Sequence, residues 1–68
     1  MKTGQKYFKV GDEVRLHPHD TYYKNGRILE ISELGWTFLI TDCHENSGYK
    51  FGEVVFISHN NVLTLIKL

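Results

Sequence analysis

Apolar residues in this 68-residue chain recur at every second position in short runs, and nowhere at the spacing of an amphipathic helix. Trp36, Phe38 and Ile40 alternate with Thr37, Leu39 and Thr41, and Val14 and Leu16 alternate with Glu13 and Arg15. A period of two puts one set on each face of a pleated strand. Turn residues break the runs at Gly11-Asp12, His17-Pro18-His19-Asp20-Thr21, Glu33-Leu34-Gly35, Asn46-Ser47-Gly48 and Ser58-His59-Asn60-Asn61. We therefore expect one all-β domain over residues 1–68, with 1–6 flexible. Its strands are expected in residues 7–10 and 13–17, then 27–32, 36–42, 53–57 and 62–67, with one tight turn before the last. Asn25-Gly26 suits the left-handed angles of a tight turn. It either closes a hairpin between residues 21–24 and 27–30 or ends a long loop. Strongly bent sheets of this kind close into a small barrel and hide their edges.

So short a chain buries only about 60% of its unfolded surface. It needs disulfides, a metal, oligomerisation or unusually good packing. Cys43 is the only cysteine, so no disulfide can form within the chain. A lone thiol fits a reducing compartment, and the first residues hold no apolar signal region, so a cytoplasmic protein is expected. The longest aliphatic and aromatic run covers residues 54–57, far short of a membrane span.

Eight Lys and Arg balance eight Asp and Glu, which argues against a dedicated nucleic-acid binder. The charge is uneven, however. Residues 1–30 hold six basic and four acidic side chains, and residues 31–68 hold two and four. Lys6, Lys9, Arg15, Lys24 and Arg27 are the candidates for phosphate contact.

The phrase Phe8-Lys9-Val10-Gly11-Asp12-Glu13-Val14-Arg15, followed by Asn25-Gly26-Arg27-Ile28-Leu29-Glu30-Ile31 and then Val55, Val62 and Leu65, resembles the KOW and Tudor branches of SH3-like barrels. The resemblance covers roughly residues 8–66 and lies in spacing more than in a signature. It implies a five-stranded SH3-like barrel. It also implies a role in binding: KOW domains sit in transcription and ribosomal proteins, and Tudor domains read methylated side chains. The fold hosts many unrelated functions. The framework is also similar to the plasmid-borne type II dihydrofolate reductases, homotetramers whose pore is lined by a Val-Gln-Ile-Tyr strand motif. Here the stretch reads Val54-Val55-Phe56-Ile57. Aliphatic side chains replace the glutamine and the tyrosine, so that activity is not carried over.

No catalytic constellation stands out, and we expect no enzyme, no metal and no cofactor. His17, His19, His44 and His59 lack the paired spacings of a zinc site. Cys43 and His44 are neighbours, so in a strand they point to opposite faces. Asp12-Glu13 and Asp42 with Glu45 lie in turns, where acidic residues are common.

Two features bear on binding. Tyr22, Tyr23, Tyr49, Phe51 and Trp36 fall in or beside loops that crowd one end of a small barrel. Their rings would stack on bases, hold a methylated ammonium or cradle a peptide; alternatively they cap the core. The second feature follows from the expected core of Val10, Val14, Leu16, Ile28, Ile31, Phe38, Ile40, Val55, Ile57, Val62 and Leu65. Burying both Ile28 and Ile31 requires a bulge or coil. Leu29, Leu39, Val54 and Phe56 then form an apolar stripe on the outer face, unless Tyr7 or Phe8 folds over it. Contiguous exposed apolar area marks a partner. The leading expectation is a non-enzymatic module acting through protein–protein contacts, with itself as one possible partner. The alternatives are a nucleic-acid-associated KOW-like module and an oligomeric enzyme with its site at a subunit interface.

Overall fold

A computed structural model describes residues 8–68. It contains no helix and five strands: β1 (Glu13–Leu16), β2 (Lys24–Ile31), β3 (Gly35–Cys43), β4 (Val54–Ser58) and β5 (Leu65–Lys67). All pairings are antiparallel, in one sheet of order β4-β3-β2-β1-β5. The expected all-β class is thus found. The ladder is not closed, because β4 and β5 are its two edges.

The alternation in β3 sorts its side chains as expected. Phe38 and Ile40 are fully buried, and they join Val14, Leu16, Ile28, Trp36 and Ile57 in the core. Ile31, Val55 and Leu65 are half-buried against that core, as are Phe8, Cys43, Tyr49 and Leu63. The bulge is present too. Ile28 pairs with Phe38 and Glu30 with Thr37, which leaves Leu29 as the extra residue. It keeps both isoleucines on the inner face.

Other expectations need correction. Val10 is 60% exposed and Val62 is 89% exposed, so neither belongs to the core. Val10 sits in the turn formed by the Asp12 N–H donating to Lys9 O, and no strand forms over residues 8–10. Residues 62–64 are irregular, and Leu63 packs inward in place of Val62. The turn before the last strand is where it was expected, with the Asn61 N–H donating to Ser58 O at 3.0 Å.

Asn25-Gly26 is not a turn. Both residues are buried within β2, opposite Arg15 and Val14 of β1, and neither has a positive φ. The glycine is required by packing. A Cβ on Gly26 would lie 3.1 Å from Leu39 O and 3.4 Å from both Leu16 Cδ1 and Phe38 Cβ. The core closes over a missing side chain.

Candidate functional site

Three surfaces carry the residues singled out by sequence: the loop end beside β2 and β3, the outer face of β2, β3 and β4, and the basic side chains. The loop end is built where β2 begins and β3 ends. Lys24 pairs with Cys43, and the His44 N–H donates to Tyr23 O at 2.9 Å, which extends the ladder by one step. That step brings Tyr22, Tyr23 and His44 side by side. Tyr22 lies over His44 with ring centroids 4.7 Å apart, and Tyr23 meets the same imidazole edge-on at 6.1 Å. The Arg15 guanidinium also lies over the Tyr23 ring, 5.6 Å from its centroid.

Polar contacts hold these rings. Arg15 Nε donates to Asn25 Oδ1 at 2.9 Å, and the Tyr23 hydroxyl donates to Asp42 Oδ1 at 3.3 Å. Desolvation, then the charge of Asp42 and its hydrogen bond, raise the Tyr23 pKa above its ordinary value. The hydroxyl therefore stays a donor. The Asn46 N–H donates to His44 Nδ1, so this nitrogen serves the loop and not Cys43. The Cys43 thiol donates to Tyr49 O instead. Cys43 and His44 therefore make no nucleophile–base pair. Among the described residues no three of His, Cys, Asp and Glu converge as metal ligands would.

A shallow hollow of about 260 Å³ adjoins the cluster, lined by Asp20, Thr21, Tyr22, Lys24, Asn46 and Ser47. Lys24 is buried there, with its ammonium 2.8 Å from Asp20 Oδ2 and 3.3 Å from Tyr22 O. Bonding to Lys24 is the main cause that lowers the Asp20 pKa.

The five aromatics expected at the ligand end do not act as one group. Tyr22 and Tyr23 share the His44 cluster. Tyr49 is half-buried against the core, where it caps. Phe51 is 79% exposed at the corner of a turn in which the Glu53 N–H donates to Lys50 O and Gly52 takes a φ of 85°. Trp36 is 7% exposed, stacked on Phe38 at 5.9 Å and met edge-on by Phe8 and His59, so it is a core ring. Its expected place at the ligand end is thereby corrected, and its alternation with Phe38 and Ile40 is the signal that would have put it on the inner face. The participation of His44, by contrast, had no local signal, since it depends on a contact across more than twenty residues.

On the outer face Leu39 pairs with Val54 and Thr37 with Phe56. Leu29, Val54 and Phe56 are exposed and Leu39 is half-buried. Phe8 is held against Trp36 on the inner face, so it does not cover this stripe. Tyr7 lies outside the described residues.

Of the candidate basic residues, Lys24 and Arg27 stand beside carboxylates. Lys6 lies outside the described residues. Lys9 is exposed in the turn before β1, Arg15 is tied to Asn25, and Lys24 is neutralised by Asp20. Arg27 is exposed, but it sits directly opposite Glu13. Fold and surfaces together define a small all-β sheet domain. No known protein family, curated protein or solved structure matches the chain.

Proposed function

We propose that the chain is a non-enzymatic binding module that works through protein–protein contacts, with another copy of itself as the first partner to consider. One observation carries this reading: the apolar stripe of Leu29, Leu39, Val54 and Phe56 stays open to solvent among the described residues, on the outer face of three neighbouring strands. An exposed contiguous apolar face in a domain with so small a core is better accounted for by a partner than by solvent. The strand order, with β5 returning beside β1, together with the bulged β2, supports an SH3-like architecture.

The nucleic-acid reading is weaker. Asp20 pairs with Lys24 and Glu13 sits opposite Arg27, so carboxylates offset two of the described cations. The interface-enzyme reading has no constellation of residues to support it.

Two measurements test the proposal. Light scattering over a concentration series should show association for the wild type, with Val54→Asp and Leu39→Asp folded but monomeric. Titration with random-sequence duplex DNA and single-stranded RNA should show no binding at physiological salt. Binding that weakens steeply with salt would favour the nucleic-acid reading, because phosphate contacts release counterions. A wild type that stays monomeric at high micromolar concentration would remove self-association.

A further inference from the structure

The two edges of the sheet differ. β5 has three residues, and its Lys67 is paired with Asp12 at 3.4 Å. Short edges carrying lysine resist pairing with other chains. β4 reads Val54-Val55-Phe56-Ile57-Ser58, with no charge, no proline and no irregularity in its ladder with β3. Among the described residues it has none of the usual protections of an edge.

The backbone of β4 also shows which groups are available. The Ile40 N–H donates to Glu53 O at 2.8 Å, and the His59 N–H donates to Leu34 O at 3.0 Å. Antiparallel ladders alternate, so positions 53, 55, 57 and 59 face β3. Val54, Phe56 and Ser58 therefore turn their N–H and C=O groups to the open side. Ser58 O accepts from the Asn61 N–H, whereas the Val54 and Phe56 groups have no partner among the described residues.

We propose that β4 pairs antiparallel with β4 of a second copy about a two-fold axis at Phe56, joining two five-stranded sheets into one. The inference rests on the protein-contact reading above and specifies its geometry. A two-fold needs only one self-complementary strand, and the alternation allows registers centred on Phe56 or on either of its neighbours. Centring on Phe56 sets the two Phe56 residues opposite each other, Val54 opposite Ser58, Val55 opposite Ile57, and Glu53 opposite His59 of the second copy. Apolar side chains then meet on the inner face, and an acidic residue meets an imidazole at each end. Centring on Val55 instead sets Glu53 against Ile57, which pairs a carboxylate with a core side chain. Centring on Ile57 sets Val55 against His59 and Phe56 against Ser58, which puts apolar side chains opposite polar ones on both faces. The first register is the complementary one. It also runs the outer stripe of one copy into that of the other, through Val54 and Phe56.

Cysteine cross-linking of the full chain in a Cys43→Ser background tests this geometry. Directly opposed residues in a hydrogen-bonded pair have Cα atoms about 5.5 Å apart, within disulfide range. Phe56→Cys should cross-link to itself under mild oxidation, and Val54→Cys alone should not. Because the Phe56 ring also packs within its own chain, a mixture of Val54→Cys and Ser58→Cys provides a second readout and should yield the mixed dimer. Proline gives a third. Val54→Pro should keep the fold and lose the dimer, whereas Val55→Pro should unfold the chain because its N–H serves β3. An associating wild type in which neither cross-link forms would overturn the strand pairing and leave the protein-contact reading standing. A monomeric wild type would overturn both the pairing and self-association.

Discussion

The Phe56 ring lies across Gly35 so closely that a Cβ built on the glycine would come within 2.8 Å of Phe56 Cζ and would overlap Ile57 O. Gly35 opens β3 opposite Ser58, and Phe56 is the next outward residue of β4. The ring thus fills the place of the missing side chain, as aromatic residues do beside glycines in sheets. Phe56 has two roles: its inner edge closes the β3–β4 pair, and 55% of it remains exposed on the outer face.

Gly35→Ala should therefore be more costly than an alanine at an ordinary strand glycine. The contact includes backbone atoms of Ile57 and Ser58, which cannot swing aside as the Phe56 ring can. We expect a loss of about 1–3 kcal/mol or more, typical of overpacking. A denaturant titration beside the wild type measures it. A neutral result would show that β4 shifts freely along β3.

Truncating the centre of the core has a larger effect. Phe38 is fully buried between Ile28 and Val55 of the neighbouring strands and stacks on Trp36. Phe38→Ala should cost about 3–5 kcal/mol. That is comparable with the whole stability of a small domain. Loss of the cooperative thermal transition is the expected readout.

Much of this framework was legible in the sequence because it depends on local period. Phe38 and Ile40 announced the inner face of β3, and the spacing of Ile28 and Ile31 pointed to the bulge at Leu29; Trp36, in the same alternation as Phe38, was expected at the ligand end instead. What was not legible depended on distant neighbours. The turn preference of Asn25-Gly26 was overridden by Leu16 and Phe38, which pack against the glycine from other strands. Val62 and Leu63 are both apolar within an irregular segment, so no alternation decides which turns inward. The Tyr22–His44 pair forms only once β2 and β3 are in register.

Acid should weaken the fold in part through two carboxylates. The backbone N–H of Lys9, then Lys67, lower the Asp12 pKa below its ordinary 3.8; Lys24 does the same for Asp20. A group with a depressed folded pKa stabilises the fold above its unfolded value, and that contribution is lost as pH falls through the folded pKa. Asp12→Asn and Asp20→Asn should each flatten the decline in stability below pH 3.8 while lowering stability at neutral pH. Denaturant midpoints from pH 7 downward would show this, and an unchanged slope in both variants would refute it. Both carboxylates contact solvent, so salt should reduce the effect.

Two aromatics of the 44–53 loop should respond in opposite ways to the same substitution. Tyr49 is half-buried against the core, its N–H is held by Ser47 Oγ at 3.2 Å, and its carbonyl accepts the Cys43 thiol at 3.3 Å. Phe51, two residues on, leads a turn whose backbone bonds bypass its side chain: Gly52 donates to Ile40 O, and Glu53 donates to Lys50 O. Removing the Tyr49 ring uncovers the β3 end of the core, and Tyr49→Ala should cost about 1–2 kcal/mol. Phe51→Ala removes a largely exposed ring, and it should stay within about 0.5 kcal/mol of the wild type. Any effect of Phe51→Ala would then appear in association or ligand binding. Urea midpoints of the two variants compare them directly. Equal losses would mean that the Phe51 ring folds back onto the sheet and caps the core as Tyr49 does.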